Sequence, residues 1–302
     1  MIQTLIVLIL AVLVDRLIGE PPEELHPVCW MGKFIEFAWN RRPSKGLFLY
    51  GAFMVASGTM FFALLGPLVS LLWWPVSFVF SVWFLKGTMS ASGLLDAGRE
   101  VYVALVAGDL AQARGKLAWH LVSRDTSDLS SQEVAGAAVE SLSENLSDGW
   151  VGPILAYSLF GLPGALAYRF VNTCDSMVGY RHGDFELGGK ASALLDDLFN
   201  ILPARLSALL LVVGAWSSEV DWRGAIRSSF RFHRATESPN AGWPMAAIAG
   251  ALGITLTKRG CYSIPGGDGD PDVEDLYLSM KVVSVAQLAT VAFGFALIVG
   301  MR

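Results

Sequence analysis

The chain has 302 residues, 53% hydrophobic and only 16% charged, with a mean hydropathy of +0.49; soluble domains carry about 25% charged residues, so this composition argues against an ordinary water-soluble protein. The formal net charge is −5 and the basic residues are dispersed, which argues against a nucleic-acid surface. Three widely spaced cysteines, Cys29, Cys174 and Cys261, suggest neither a disulfide framework nor a zinc site and read as buried free thiols in a reducing compartment.

In chain order, the apolar run at residues 1–14 reads as a first membrane helix on the short side of what a bilayer needs, because Asp15-Arg16 follows it with no basic leader and no small-residue cleavage site. Residues 15–32, DRLIGEPPEELHPVCWMG, make a Gly/Pro turn presenting Asp15, Glu20 and His26. Residues 47–85 are too long for one crossing and predict a two-helix membrane hairpin with breaks at Gly66-Pro67 and Trp73-Trp74-Pro75. Weaker candidates follow at 150–168, 201–217 and 241–257, which can span, re-enter or pack as core helices, and 282–300 is a further credible span. No lysine or arginine precedes the first helix, whereas residues 15–46 carry five and 86–149 carry five. The positive-inside rule therefore puts both segments in the cytoplasm. The 86–149 segment reads as helical: Asp109 caps a helix to about Val122, and Ser130-x-x-Glu133 has the capping-box pattern of a helix to about Leu146. Residues 262–275 read as a Gly/Pro/Asp loop, and no alternation is long enough to predict a strand. The expected fold is all-α: a polytopic membrane protein forming one membrane-embedded domain over 1–302, with cytoplasmic helical segments and re-entrant candidates.

The polar residues fall into clusters. Glu133, Glu140, Glu144 and Asp148 form one stripe of the 130–148 helix, opposite Val134, Ala138, Leu142 and Leu146. A solvated acidic face is the ordinary reading, but like charges at i,i+4 destabilise a helix by a few tenths of a kcal/mol. A divalent cation removes that repulsion, and carboxylates with the amide of Asn145 are hard oxygen ligands suited to magnesium. Asp196 and Asp197 sit in an apolar helix with Asn200 and, past Pro203, Arg205; such acids near a membrane are costly unless paired or metal-bound. Upstream lie Asp175, Ser176, Tyr180 and Arg181 around Gly179, and downstream His233, Arg234, Ser238 and Asn240 precede a helix start whose amides suit an anion. Arg124-Asp125-Thr126 with Asp128 completes the set. No P-loop, GxGxxG, HExxH or nucleophile elbow is present, so any use of ATP proceeds without a Walker motif.

In this order, DRLIGEPPEELHPVCWMG, SRDTSDL, VESLSENLSDGWVGPILAY, GLPGALAYRFVNTCDSMVGYR, ALLDDLFNILPARL and ESPNAGWPMAAIAGALG resemble the adenosylcobinamide-phosphate synthase family (CbiB/CobD), membrane proteins of cobalamin biosynthesis. The likeness runs from residue 15 to about 253. It departs at Gly19-Glu20-Pro21, where the family carries Gly-Asp-Pro, at YRHGDFELGGKASA, and after residue 256, where TKRGCYSIPGG matches only loosely.

The resemblance implies an ATP- and Mg2+-dependent amide ligase. It would join the corrinoid adenosylcobyric acid to aminopropanol phosphate, or to aminopropanol, giving adenosylcobinamide phosphate with the active site facing the cytoplasm. On that reading Glu140, Glu144, Asp148, Asp196 and Asp197 are the candidate magnesium ligands. Arg124, Arg181 and Arg205 are candidate phosphate partners, with Tyr180 and Asn145 beside the substrates. His26 or Asp175 would accept the amine's proton, Ser238 and Asn240 would hold the phosphate of aminopropanol phosphate, and Trp150, Tyr157 and Trp243 would seat the corrinoid. Membrane lipid is the expected surround, an oligomer is compatible with it, and nucleic acid is not a partner. The competing readings are a CDP-alcohol phosphotransferase or prenyltransferase, a transporter with an intramembrane cation path, and a regulatory membrane protein.

Overall fold

Helix is the state that satisfies every backbone polar group within its own segment, and a chain this apolar uses it almost throughout. The computed structural model describes residues 1–301 and is 75% helical. Among the described residues, four stretches are long and apolar enough to cross a membrane: Leu47–Ser70, Trp74–Val106, Ser131–Val178 and Val273–Gly300. A fifth arises if Lys190–Phe199 and Ile201–Ser217 form one broken span. The protein is thus an all-α polytopic membrane protein, built as two compact units.

The first unit takes residues 1–90, 152–200 and 293–302. Its helices are α1 (Ile2–Ile18), α2 (Pro27–Trp39), α3 (Leu47–Ser70), α4 (Trp74–Gly87), α8 (Gly152–Val178), α9 (Asp184–Gly188) and α10 (Lys190–Phe199). The hairpin expected over 47–85 is present and turns at residues 71–73, while Pro67 stays inside α3. The core is a cluster of Phe34, Phe62 and Phe170, with ring centroids 5.0–6.1 Å apart. Glycine makes the close approaches: a Cβ at Gly58 would lie 2.1 Å from the Phe170 ring. α8 breaks at Gly161, whose positive φ of 69° suits glycine alone, just before Pro163. Leu49, Phe53, Met60, Leu64 and Leu68 on α3 point outward, as a lipid-facing stripe should.

The second unit takes residues 91–151 and 201–292. It comprises α5 (Ser92–Val106), α6 (Leu110–His120), α7 (Ser131–Leu146), α11 (Ile201–Ser217), α12 (Trp222–Phe232), α13 (Gly242–Leu252) and most of α14 (Val273–Gly300). The expected caps hold: Asp109 accepts from the Gln112 amide, and Ser130 and Glu133 form the reciprocal capping box. Between α7 and α8, residues Ser147–Val151 adopt one π turn. Residues 241–257 take one of their open alternatives, a packed helix, and one sequence expectation, the 262–275 loop, is corrected. Residues 241–257 do not form a span, since α13 has 11 residues and rises only about 16 Å against a hydrocarbon core of about 30 Å. Of the loop expected over 262–275, residues 262–265 instead form strand β2 (Tyr262–Pro265), which pairs antiparallel with β1 (Thr255–Lys258), Leu256 lying opposite Ile264 and Lys258 opposite Tyr262. Leu256 and Ile264 are both fully buried, so the inward face is hydrophobic even though each strand is too short to show alternation.

Candidate functional site

The acidic stripe is not a solvated face. α7 is buried along Val134–Ser143, so Glu140 enters the interior with its neighbours and is only 7% exposed. One of its carboxylate oxygens accepts a hydrogen bond from the Tyr262 hydroxyl. The other, Oε2, is buried with no partner. A buried carboxylate oxygen left open costs about 1–3 kcal/mol or more, an expense usually associated with a functional position. The charges of Arg124 and Lys258 act on this carboxylate. The phenol of Tyr262 is held well above its usual range by burial and by the Glu140 and Glu144 carboxylates, so it stays a donor.

The other members of the stripe have different settings. Glu133 is the capping-box partner of Ser130 and also forms a bidentate pair with Arg259 from the hairpin. Glu144 is half-buried, as is Asp148, which falls within the π turn rather than on the regular stripe. Asn145 is exposed, and its amide donates back to the Ser141 carbonyl and hydroxyl at 2.9 and 3.0 Å. Tyr262 and Lys258, absent from the sequence reading, belong to this cluster.

Also within the second unit, two predicted residues 35 apart in sequence meet: Arg205 Nη1 donates to Asn240 Oδ1 at 3.1 Å and to the Ile201 carbonyl at 2.7 Å. The guanidinium lies 5.0 Å from the Trp243 ring centroid, and His233 stacks on that ring at 4.1 Å. The Ser238 hydroxyl accepts from the Asn240 and Ala241 amides at 3.2 and 3.4 Å, so those donors at the helix start are already occupied.

In the first unit, Asp196 is held by two amides: Asn172 at 3.3 Å on one oxygen and Asn200 at 3.0 Å on the other. Asn200 in turn accepts from Tyr168 at 2.6 Å, and Arg169 donates to Asn172 at 3.3 Å. Tyr168, Arg169 and Asn172 on α8 thus complete a network of which sequence reasoning identified only one end. Asp197 is half-buried beside it. Asp175 is half-buried against Gly179, where a Cβ would come within 2.0 Å of its Oδ1. Tyr180 packs on Phe185, and Arg181 is exposed. Both His26 nitrogens are engaged: Nδ1 accepts from the Val28 amide and Nε2 lies 3.1 Å from Glu20. Glu20 also meets the buried Lys86 at 2.5 Å, and Lys86 lies 3.4 Å from Asp15. Burial opposes ionisation of Glu20, but hydrogen bonds from His26, Lys86 and Ser90 together with the Lys86 charge lower its pKa to about 2. Trp150 and Tyr157 are buried, with Trp150 donating to the Gln287 carbonyl and Tyr157 lining a cavity of about 480 Å3 in the first unit.

Among the described residues, no three Asp, Glu, His or Cys side chains converge as a protein-only metal cage. The donor set nonetheless fits a magnesium ion that keeps water and phosphate ligands. Such an ion needs one or two carboxylates, and Glu140 Oε2 is an open one. Asp196 fits less well, since both its oxygens accept amide hydrogens.

Residues 8–289 match the family described as CobD/Cbib protein. The chain is 42% identical over 273 residues to the cobalamin biosynthesis protein CobD of Dehalococcoides mccartyi, covering 87% of each. It is 40% identical to the probable cobalamin biosynthesis protein CobD of Methanothermobacter thermautotrophicus, over 96% of this chain and 95% of the relative. With the cobalamin biosynthesis protein CobD of Klebsiella pneumoniae it shares 35% identity, over 99% and 98%. No solved structure matches it.

Proposed function

The chain belongs to the CobD/CbiB family of cobalamin biosynthesis proteins, and from that premise we propose that it is an ATP- and magnesium-dependent amide ligase. It joins a propionate carboxylate of adenosylcobyric acid to the amine of aminopropanol phosphate. A carboxylate is a poor electrophile. Its oxygen attacks the γ-phosphorus of ATP, ADP leaves, and the resulting acyl phosphate is attacked by the amine nitrogen. Phosphate departs, and the nitrogen loses its proton as the amide forms.

The observation that carries this reading is the buried Glu140 carboxylate, bonded through one oxygen to Tyr262 and open at the other, with Arg124 and Lys258 acting on it. Phosphoryl transfer asks the protein mainly for positioning and charge neutralisation. Magnesium would supply charge neutralisation at the phosphates when bound, with Glu140 as its protein ligand. Tyr262 fixes the rotamer of that carboxylate, and Lys258 offers positive charge to phosphate oxygens. The network around Asp196 orders α10 against α8 in the first unit. We propose that the catalytic face is cytoplasmic, where ATP is available.

The test is a product assay on purified protein in detergent with lipid. Adenosylcobyric acid, aminopropanol phosphate, ATP and magnesium are incubated together, each is omitted in turn, and the corrinoid is weighed by mass spectrometry. A mass gain matching the amide, dependent on ATP and magnesium, is expected. Glu140→Gln should lower the rate by on the order of 10²-fold while leaving elution from a sizing column unchanged. No product from folded wild-type protein would sink the ligase reading.

A further inference from the structure

The loop between α6 and α7 and the end of strand β1 line an open surface pocket of about 260 Å3, and we propose that it binds the small amine substrate, a short amine carrying a phosphate at its far end. The proposal rests on the ligase reading above and deepens it. The lining includes Arg124, Asp125, Asp128, Glu133, Thr257 and Arg259.

The frame is rigid. Arg114 Nε donates to the Leu129 carbonyl at 2.7 Å, and the buried Thr126 donates to the Arg114 carbonyl at 3.0 Å. Ser141 anchors the start of the loop through the Leu121 carbonyl at 2.7 Å. The Arg259–Glu133 pair ties the hairpin to the first turn of α7. Strand alternation turns Thr257 toward the cavity and Lys258 to the opposite face, with Tyr262 as its cross-strand partner, and Arg259 lines the cavity from the turn that follows β1.

The charges specify the ligand. Glu133 neutralises Arg259, which leaves Arg124 on one side of the ledger and Asp125 and Asp128 on the other. Among the described residues, none of these three forms an ion pair, although all line the same space. A cavity that keeps a guanidinium and carboxylates apart suits a ligand bearing both charges, with the guanidinium on phosphate and the carboxylates on ammonium. Size agrees. Pockets for drug-sized ligands span about 300–1,000 Å3, so this one is too small for a corrinoid or a whole nucleotide. Arg124, which lines the pocket, also acts by its charge on Glu140 and Tyr262.

Calorimetric titration of the full chain in detergent tests the assignment, with aminopropanol phosphate, free aminopropanol and inorganic phosphate as probes, with and without a non-hydrolysable ATP analogue. Aminopropanol phosphate should bind more tightly than either half. Arg124→Gln should weaken aminopropanol phosphate and inorganic phosphate about 10-fold or more, the loss expected of one charge-assisted pair. The double variant Asp125→Asn, Asp128→Asn should weaken the two amines and leave inorganic phosphate unchanged. Thr257→Trp, placed on an exposed strand position that tolerates bulk, should fill the cavity and weaken all three. Wild-type affinity for aminopropanol phosphate in Arg124→Gln and Thr257→Trp, or no binding by the wild type under either condition, overturns the proposal. The two readings fail separately. Binding through the cavity without ATP-dependent product sinks only the ligase, whereas product formed with an unaltered KM for the amine in all these variants sinks only the cavity.

Discussion

Among single residues, Glu140 shows most clearly how burial and incomplete hydrogen bonding combine. Tyr262 supplies the only hydrogen bond that the carboxylate receives among the described residues. Tyr262→Phe would therefore leave both oxygens open in the interior, at a cost of about 1–3 kcal/mol. A lower thermal midpoint in detergent, accompanied by loss of ligation, is expected; an unchanged midpoint would mean that the pair contributes no stability. Glu20 makes a different prediction, one of pH. Its pKa is about 2 in the folded protein against an ordinary 4.5, so the unfolded chain binds the proton first. The stabilisation from its bonds to Lys86 and His26 is complete above pH 4.5 and fades as pH falls toward 2. Wild-type protein should lose thermal stability across that window. Glu20→Gln should start less stable at neutral pH and show a shallower loss, and parallel curves for the two proteins would rule out Glu20 as the titrating group.

Helices and strands differed in how plainly the sequence announced them, and the difference is one of range. The Ser130 capping box, the Asp109 cap and the hairpin over 47–85 were legible because each depends on neighbours within one or two turns. The β hairpin was not, since two four-residue strands give alternation too little length to register. With the hairpin hidden, so were Tyr262, 122 residues from Glu140, and the pairing of Arg259 with Glu133. The π turn at Ser147–Val151 likewise left no mark on a pattern read at 3.6 residues per turn. The residue types of the site were visible as acids and arginines in apolar runs, but not which of them meet. Packing glycines were equally silent. Gly58→Ala gains about 1 kcal/mol of helix propensity, yet its Cβ would stand 2.1 Å from a Phe170 ring that is fully buried against Phe34 and Phe62. Overpacking of that kind costs about 1–3 kcal/mol, so the net effect should be a lower unfolding midpoint. A rise would show that the ring moves aside freely.

At the level of the whole molecule, the proposed function commits the catalytic face to one side of the membrane. On the proposed orientation, which takes the charge bias as its guide, residues 15–46 and 86–149 lie in the cytoplasm. The hairpin must share that side with the α6–α7 loop, because Arg259 pairs with Glu133 at the start of α7 and Thr257 lines the same cavity as Arg124. The hairpin also carries Cys261, which is exposed, so the expectation of three buried thiols holds only for Cys174, with Cys29 partly covered. A membrane-impermeant maleimide therefore reads the topology from native cysteines, with Cys29→Ser removing the one ambiguity. In inverted membrane vesicles Cys261 should label rapidly, and in intact cells only after the membrane is permeabilised. Saturating the vesicles with aminopropanol phosphate should leave this labelling unchanged, since Cys261 lies at the hairpin turn and does not line the cavity. Labelling in intact cells would put the hairpin, and with it the Arg124 cavity and Glu140, on the face away from cytoplasmic ATP. Both the orientation and an ATP-driven reaction at this site would then have to be abandoned together.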